Sequence, residues 1–289
     1  MTAGSQMDFI KLHRIQPGDT PRLGSIETRQ SGPFDGKPDA RSFTRLANEK
    51  NRELQYRLYV ERKHSLLLVL QAPDTAGKDG VIRKVLGQMN PQGCRTYSFK
   101  VPNSEEAAHD FLWRIHKCTP GQGQISIFNR SHYEDVLVVR VENLVPRDVW
   151  SQRFDLINQF EANLVAAGTR IVKFYLHISP QEQLRRLKKR LDNPEKHWKL
   201  SSADYAAREK WDAYQKAYED VIARCNTPVA PWYVIPADNK WYRDAAIAGI
   251  VRETLRDIDP RLPPVEVDLD HLRSLYEREY AEQQRKAPT

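Results

Sequence analysis

Cysteine is scarce in this sequence, and long apolar runs are missing from it. The 289 residues include three cysteines, Cys94, Cys118 and Cys225, without C-x-x-C spacing. An odd number of widely spaced cysteines favours structural or incidental thiols in a reducing compartment. No stretch approaches the roughly 20 apolar residues that cross a bilayer, and the polar N-terminus lacks the hydrophobic segment of a secretory signal. We therefore expect a cytoplasmic protein with no membrane partner.

Basic residues outnumber acidic ones. The chain has 45 lysines and arginines against 38 acidic residues, a formal net charge of +7, and 40% of its residues are apolar. That apolar fraction is enough to form a core, which argues against disorder. A basic chain fits a polyanionic partner, but net charge does not choose between nucleic acid, anionic lipid and polyphosphate. The positions of the basic residues along the chain have to distinguish these three partners.

Short apolar runs alternate with helical patterns along most of the chain. The run SLLLVLQ at 65–71 is typical of a strand buried on both faces of a parallel sheet. Further strands are expected at about 96–99, 124–128, 170–178 and 232–235. The helical patterns cover 40–63, 77–89, 105–117, 151–167, 180–191, 203–225 and 241–255, with one more surface helix from about 268. The alternation predicts βαβ units, and thus an α/β three-layer sandwich with a parallel five-stranded sheet.

The first residues differ from the rest in composition. Residues 1–39 are rich in glycine, proline, serine and threonine and show no period. Such a stretch predicts an extended arm that wraps the domain formed by residues 40–289.

A strand-to-helix junction carries the strongest chemical signal. In LQAPDTAGKDG (70–80) the buried strand ends, a turn follows, and Gly77 and Lys78 open a helix. Backbone N–H groups at a helix start and the helix dipole favour an anion, and a lysine there adds positive charge. The stretch therefore predicts a phosphate-binding loop, although Ala72 and Asp79 depart from G-x-x-x-x-G-K-[ST]. The alternative is a chance strand–turn–helix junction.

Two carboxylates accompany this loop. Asp74 and Asp79 beside a phosphate site would repel the ligand unless a cation intervened. We therefore infer Mg²⁺ here, with Mn²⁺ as a possible substitute, and Asp74 is the better ligand candidate. An alternative interpretation of Asp79 is an exposed acid in the first turn of the helix, stabilised by the helix dipole.

A polar cluster follows the run ISIF at 125–128. Parallel α/β sheets bind ligands at the carboxyl ends of their strands, so this cluster should face the phosphate loop. Asn129 suits a metal-held water or a phosphate oxygen, and Arg130 suits bidentate binding of a phosphate. The alternative is a polar loop with a structural Arg–Glu pair, and His132 is more typical of a structural histidine than of a catalytic one.

Positive charge is concentrated in one later segment. Residues 185–199 hold seven lysines and arginines against two acids. A solvated helix face is the ordinary explanation of such a run. However, Pro194 interrupts the helix and Trp198 lies among the charges, which favours a mobile lid at about 185–205 that closes over polyanions and excludes water.

With these elements in place, the sequence closely resembles the type-2 polyphosphate kinase family, in particular its class III members, from about Tyr56 to Leu255. The segments FNRSHYEDVLV and HISPxEQ…NPxKHWK are long and specific to the family. The resemblance is carried by LLLVLQAPDTAGKDG (66–80), NPQGCRTYSFKVP (90–102), HDFLWRIH (109–116), IFNRSHYEDVLVVRV (127–141), YLHISPQEQLRRLKKRLDNPEKHWKLSSAD (175–204) and APWYVIPADNKWYRD (230–244).

The resemblance implies a P-loop kinase-like fold with a helical lid and a set of site residues. The implied catalytic residues are Asp74, Lys78, Arg130 and Arg186. Phosphate or nucleotide binding falls on Thr75, Ala76, Gly77, Asp79, Gly80, Asn129 and Glu134. In the lid, the resemblance places Arg190, Lys196 and Lys199, and together with Arg83 and Lys84 they are our candidates for guiding polyphosphate. The implied ligands of Mg²⁺, direct or through water, are Asp74 and Glu134. Ala72 stands where the family commonly has glycine, which affects the expected loop geometry.

The reaction that the resemblance implies is the reversible transfer of phosphate between inorganic polyphosphate and AMP or ADP. The implied partners are inorganic polyphosphate, nucleoside mono- and diphosphates and further copies of the chain, without nucleic acid. Two other functions stay open at the level of sequence. One is an ATP-dependent nucleoside monophosphate kinase, which shares the fold, and the other is a non-catalytic nucleic-acid-binding module that uses the basic segment.

Overall fold

A single parallel sheet organises the protein. The structure, a computed structural model, describes residues 7–286. The five strands of the sheet stand in the order β2-β3-β1-β4-β5, and every neighbouring pair is parallel. The strands are β1 (Ser65–Gln71), β2 (Cys94–Ser98), β3 (Ile125–Asn129), β4 (Thr169–His177) and β5 (Trp232–Pro236). The predicted parallel five-stranded sheet is confirmed.

Helices connect the strands and cover the sheet. In chain order they are α1 (Phe9–His13), α2 (Lys37–Glu61), α3 (Lys78–Lys84), α4 (Ser104–Ala107), α5 (Trp113–His116), α6 (Val138–Val141), α7 (Arg147–Ala166), α8 (Pro180–Leu191), α9 (Ser202–Glu209), α10 (Trp211–Arg224), α11 (Lys240–Ile258) and α12 (Leu269–Lys286). Short 3₁₀ turns lie at Leu23–Ser25, Leu86–Gln88, His132–Asp135 and Pro194–Lys199.

The sheet has a hydrophobic core on each face. All seven residues of β1 are buried. Because side chains alternate along a strand, Leu66 and Leu68 join one core with residues of α2 and α11, while Leu67 and Val69 join the other with residues of α7 and α10. The result is the predicted three-layer α/β sandwich, and it leaves the carboxyl edge of the sheet free to carry a site.

The N-terminal segment departs from the predicted extended arm. Residues 9–13 form α1, because Asp8 caps this helix by accepting a hydrogen bond from the Lys11 backbone N–H. Phe9 of this helix is buried, and its ring lies 5.6 Å from the ring of Phe43 in α2. The prediction of an extended conformation is therefore wrong for α1, and α2 begins at Lys37 rather than at residue 40.

Two predicted helices are interrupted. The pattern at 105–117 forms α4 and α5, because the Asp110 carboxylate accepts a hydrogen bond from the Leu112 backbone N–H and closes a turn between them. The pattern at 203–225 forms α9 and α10, which meet at Lys210, whose side chain is paired with Glu142. The spacing of apolar residues did not show these breaks, since neither the local Asp110 turn nor the Lys210–Glu142 pair changes that spacing.

The cysteines and the apolar helices match what the sequence composition suggested. The three cysteines are free, and Cys225 is buried. Between residues 7 and 286, no helix is both long and apolar enough to cross a membrane.

Candidate active site

The carboxyl ends of two neighbouring strands bring the main site residues together. In the register of β1 and β3, Leu70 lies beside Asn129. The Arg130 backbone N–H then donates to the Leu70 carbonyl oxygen at 3.0 Å. The loop that follows β1 and the polar turn that follows β3 therefore start at the same edge of the sheet, as the strand pattern predicted.

The loop between β1 and α3 has an unusual backbone. Gly77 has a φ of +109°, and a Cβ atom at this position would lie 2.1 Å from Nη1 of Arg243. Thr75 also has a positive φ, of 67°, which is costly for a β-branched residue. Gly77 is the N-cap of α3 and no side chain caps the helix, so the first backbone N–H groups of α3 stay available to an anion.

Lys78 lies inside this loop. Its side chain is buried, and its Nζ donates to the Ala72 carbonyl oxygen at 2.9 Å. Burial lowers the pKa of the Lys78 ammonium, while the nearby carboxylates of Asp74 and Glu134 act in the opposite direction. An ammonium has three donors, so those not used on Ala72 can serve a phosphate oxygen.

Arg130 lies between two carboxylates. Its Nη2 is 2.8 Å from Asp74 Oδ1, and its Nη1 is 3.7 Å from Glu134 Oε2. Burial by itself would lower the pKa of the Arg130 guanidinium, but Glu134 and Asp74 outweigh it, and the pKa is raised. Arg130 also has a φ of 63°, the second strained non-glycine backbone of the site. The tertiary structure thus holds a permanently charged group directly opposite the phosphate loop.

Asp79 takes part in a different contact from the one expected for a metal ligand. Its side chain is 68% exposed, and it accepts hydrogen bonds from Asn129 Nδ2 at 3.1 Å and from Lys199 Nζ at 3.0 Å. Burial acts to raise the pKa of the Asp79 carboxyl, but Lys199 and Asn129 outweigh it and lower the pKa. Lys199 belongs to the basic segment, so this contact brings that segment down onto the first turn of α3.

Arg186 contacts the backbone of the phosphate loop on the side of its carbonyl oxygens. Its Nε donates to Glu182 Oε1 at 2.6 Å. Its four remaining donors are directed at backbone carbonyl oxygens, those of Thr75, Ala76, Ala237 and Asp238. A guanidinium has five donors, and all are used here. This geometry does not support the expected direct contact of Arg186 with phosphate oxygens, because the side chain is engaged in holding the loop.

Arg243 is a site residue that sequence reasoning did not single out. It is buried in α11, and its Nη1 donates to the Ala76 carbonyl oxygen at 2.9 Å. Its charge is balanced by Asp244, whose Oδ1 lies 2.5 Å from Nη2. The signal that could have found it is the Arg243–Asp244 pair just before the apolar run AAIAGI (245–250), in a helix where an unpaired charge would be costly. Arg186 and Arg243 together place two positive charges beneath the phosphate loop.

The basic segment is a set of short elements above the site. Arg190 at the end of α8 pairs with Asp204 of α9 at 3.0 Å. The sequence analysis did not identify Asp204. Burial and the nearby Asp74 carboxylate raise the pKa of the Asp204 carboxyl. Lys196 is exposed, and Trp198 between these charges is 78% exposed. The structure thus shows a lid-like segment, with Lys199 as its described contact to the phosphate loop.

Two of the residues expected to guide polyphosphate lie away from the cluster of Lys78, Arg130 and Asp74. Arg83 and Lys84 are exposed near the C-terminal end of α3, where they line a groove between α2, α3 and the start of α11. They are therefore separated along α3 from Lys78.

A divalent metal fits the acidic residues at the strand ends. In the described part of the chain, no three histidine, cysteine or acidic residues are close enough to hold a metal by themselves. Mg²⁺ does not require such a cage, since proteins usually bind it through one or two carboxylates plus substrate phosphates and water. Asp74 and Glu134 flank Arg130 and supply that number of carboxylates beside Lys78.

The sheet order, the loop with a buried lysine at its helix start and the basic lid-like segment define a P-loop kinase-like phosphotransferase. The model of the family described as polyphosphate kinase 2 matches residues 37–263. The chain belongs to the polyphosphate kinase 2 family.

Individual relatives agree with this assignment. The chain is 47% identical to an AMP/ADP-polyphosphate phosphotransferase from Meiothermus ruber, over 89% of this chain and 97% of that protein. It is 40% identical to an ADP-polyphosphate phosphotransferase from Rhodopseudomonas palustris, over 88% of this chain and 92% of that protein. The crystal structure of polyphosphate kinase 2 from Arthrobacter aurescens TC1 superimposes with a TM-score of 0.90 at 38% identity, covering 94% of this chain and 97% of that one.

Proposed function

We propose that this protein transfers a phosphoryl group between inorganic polyphosphate and AMP or ADP, forming ADP or ATP, and that the reaction is reversible. The observation that carries the proposal is the meeting of Lys78, Arg130 and Asp74 where β1 and β3 end, beneath a segment dense in positive charge. Names of relatives that share most of their length with this chain support the choice of substrates.

Positioning and charge neutralisation are sufficient for this chemistry. The attacking phosphate oxygen of the nucleotide is already ionised near neutral pH, so no strong general base is needed. Lys78 and Arg130 would neutralise the oxygens of the transferred group. Arg186 and Arg243 would keep the loop carbonyls turned away from the substrate. Both guanidinium groups donate to the Ala76 carbonyl oxygen rather than to a phosphate. The segment around Lys199 would exclude water, which competes as a phosphoryl acceptor.

Mg²⁺ is the proposed cofactor, with Mn²⁺ as a substitute. Asp74 and Glu134 would hold it, directly or through water. When bound, the metal neutralises charge on the phosphates that the site brings together. Asp79 is less suited to this task, because it is exposed and paired with Lys199.

Replacing Asp74 with asparagine should weaken metal binding and lower kcat by about a hundredfold, the cost of one charge-assisted contact of about 3 kcal/mol at a developing charge. Electron paramagnetic resonance of Mn²⁺ titrated into the protein measures the first effect, and a coupled ATP assay measures the second. Asp257→Asn is the matched control, because Asp257 pairs with Arg170 at 2.7 Å on the surface, much as Asp74 pairs with Arg130. Equal Mn²⁺ affinity in Asp74→Asn and wild type would remove Asp74 from the metal site.

The substrate assignment is tested with the protein, Mg²⁺, polyphosphate and one of AMP, ADP, GMP or GDP, without added ATP, followed by chromatography of the products. ADP and ATP should form from AMP, and ATP from ADP, only when polyphosphate is present. Phosphorylation of AMP by ATP but not by polyphosphate would instead identify an ATP-dependent nucleoside monophosphate kinase.

We keep two further expectations as proposals, a homo-oligomeric assembly and a cytoplasmic location. Exposed apolar side chains support the first, among them Leu144, Leu156, Leu272 and Tyr276. The free cysteines are consistent with the second.

A further inference from the structure

Part of the N-terminal segment runs alongside the loop that follows β5. The Asp238 backbone N–H donates to the Thr28 carbonyl oxygen at 3.0 Å, and the Thr28 hydroxyl donates back to Asp238 Oδ2 at 3.0 Å. Two residues further on, the Gln30 carbonyl oxygen accepts from Asn239 Nδ2 at 2.8 Å. Residues 28–30 precede the part of the chain that identifies the family, so family membership assigns no role to them.

Asp238 is a buried carboxylate, and both of its oxygens are engaged by the protein itself. Its Oδ1 accepts from the Ser179 backbone N–H at 2.9 Å. Its Oδ2 accepts from the Ser179 hydroxyl at 2.9 Å as well as from the Thr28 hydroxyl. Three donors satisfy this buried carboxylate without a metal or a substrate. The geometry therefore favours a residue that positions others over one that reacts.

One route from Asp238 to the phosphate loop passes through Arg186. The Asp238 carbonyl oxygen accepts from Arg186 Nη2 at 3.1 Å. The other terminal nitrogen, Nη1, donates to the carbonyl oxygens of Thr75 at 3.1 Å and Ala76 at 2.7 Å. A single guanidinium thus joins the loop after β5 to the loop after β1, and its rigid plane transmits a shift of one loop to the other.

A second route passes through the start of α8. The Ser179 hydroxyl that donates to Asp238 also accepts from the Glu182 backbone N–H at 3.1 Å, which caps α8. From the first part of this helix, Gln183 Nε2 donates to the Asp74 carbonyl oxygen at 3.2 Å. Asp238 therefore fixes the beginning of the helix that holds the backbone of the proposed metal ligand.

The phosphate loop depends on such support because its backbone is strained. Thr75 has a φ of 67°, a conformation that persists only where the surrounding structure enforces it. The next carbonyl, that of Ala76, accepts from both Arg186 and Arg243. A loop released from these contacts would relax, and the N–H groups at the start of α3 would lose their fixed direction towards an anion.

The N-terminal segment has a separate structural task at the other end of β5. There the Ile15 backbone N–H donates to the Trp232 carbonyl oxygen at 3.0 Å, which covers the edge of the sheet. Trp232 is the first residue of β5, whereas Asp238 follows its last residue. Because the two contacts lie at opposite ends of the strand, a change at Thr28 tests the second contact without removing the first.

We propose that Thr28 is a positioning residue for phosphoryl transfer, which acts through Asp238 on Arg186 and on the carbonyl oxygens of the phosphate loop. This inference rests on the proposed function. It gives residues 28–30 a part in setting the loop before substrates bind, although none of them touches a reacting atom.

The test replaces the Thr28 hydroxyl alone. Thr28→Val keeps the shape of the side chain and the backbone bond to Asp238, whereas Thr28→Ser keeps the hydroxyl. The matched control is Thr254→Val, which removes a hydroxyl that donates to the Ile250 carbonyl oxygen within α11 at 2.8 Å. Two quantities are measured: kcat and the KM for ADP at saturating polyphosphate and Mg²⁺, and amide hydrogen–deuterium exchange of residues 72–79 without substrates.

In Thr28→Val, we expect kcat to fall about fivefold, the rate equivalent of one ordinary hydrogen bond. The KM for ADP should stay within about twofold of wild type, because the loss affects the orientation of the transferred group. Exchange of residues 72–79 should become faster, since the loop opens more often. Thr28→Ser and Thr254→Val should match wild type in kcat and in exchange.

Three results would overturn the inference. One is wild-type kcat or wild-type exchange of residues 72–79 in Thr28→Val, even with a lowered unfolding midpoint, which would leave the segment a purely structural role. Another is an equal loss of kcat in Thr28→Ser, and the third is an equal loss in Thr254→Val. If wild type forms no ATP from polyphosphate, the proposed function fails instead, and the exchange measurement still shows whether Thr28 holds the loop.

Discussion

Replacing Lys78 with methionine is expected to lower kcat for phosphoryl transfer by about a thousandfold. Lys78 is the only buried lysine of the described phosphate loop, and its ammonium is held at the loop by the Ala72 carbonyl oxygen. Methionine has a similar length but no charge, so the transferred group would lose a contact worth about 4 kcal/mol in the transition state. Initial rates of ATP formation at saturating polyphosphate and ADP measure the effect.

The fold should survive this change. A buried lysine is costly to desolvate, as the lowered pKa of Lys78 indicates, so an apolar replacement of similar volume should leave the unfolding midpoint close to that of wild type. Lys50→Met is the control, because Lys50 lies on the exposed face of α2 and pairs with Glu53. Wild-type kcat in a folded Lys78→Met protein would show that the reacting phosphate does not bind at this loop.

Replacing Lys173 with methionine should lower the free energy of unfolding by about 3–5 kcal/mol, the usual cost of leaving a buried charge without its partner. Lys173 in β4 is completely buried. Its Nζ lies 2.5 Å from Glu161 Oε2, 2.9 Å from the Tyr133 hydroxyl and 2.6 Å from the Cys225 carbonyl oxygen. Tyr133 belongs to the turn that carries Arg130 and Glu134, so the loss should also loosen the site. Chemical denaturation followed by circular dichroism measures the change.

The pH dependence of stability shows whether an unpaired Glu161 carboxylate causes the loss in Lys173→Met. Burial acts to raise the pKa of Glu161, but Lys173 and the hydrogen bond from His132 outweigh it and lower the pKa in the folded protein. A depressed folded-state pKa contributes stability that is present above the unfolded pKa and is lost as the pH falls through the folded one. In Lys173→Met, burial acts unopposed by the ammonium, so the pKa of Glu161 should rise and the variant should lose stability as the pH increases.

The difference between wild type and Lys173→Met should therefore be larger at pH 8 than at pH 5. Adding Glu161→Gln to the variant should recover part of the loss, because no buried carboxylate then lacks a counter-charge. The exposed pair of Lys210 and Glu142 provides the comparison, and Lys210→Met should cost at most about 1 kcal/mol. A difference that is independent of pH would indicate lost packing rather than an unpaired charge.

The sheet and the phosphate loop were accessible from the sequence because their signals are local. A strand buried on both faces favours an unbroken apolar run such as residues 65–71, and the Gly77–Lys78 step after the turn opens the next helix. The pairing of Asn129 and Arg130 with this loop followed from the rule that ligands bind at the carboxyl edge of a parallel sheet. Physical constraints of this kind act over a few residues and leave a clear pattern.

Other features depend on contacts between distant residues. The break between α9 and α10 lies at Lys210, which pairs with the distant Glu142. The break between α4 and α5 is instead a local turn capped by Asp110, and it leaves the helical spacing of apolar residues unchanged. Helix α1 forms where its phenylalanine can enter a core built by α2 and α11. The structure also directs Arg186 to loop carbonyls, although its position in a basic run resembles that of its solvent-facing neighbours.

The amino-acid sequence by itself determined the α/β class, the phosphate loop with Lys78, the polar strand end with Arg130 and the resemblance to the polyphosphate kinase 2 family. The tertiary structure decided which charges serve the substrate and which serve the fold, because that depends on where each guanidinium or ammonium ends after packing. It buried Arg186 and Arg243 beneath the loop, joined Lys199 to Asp79, and set Thr28 against Asp238. A side chain's type is local, whereas its partners are set by elements far apart in the chain.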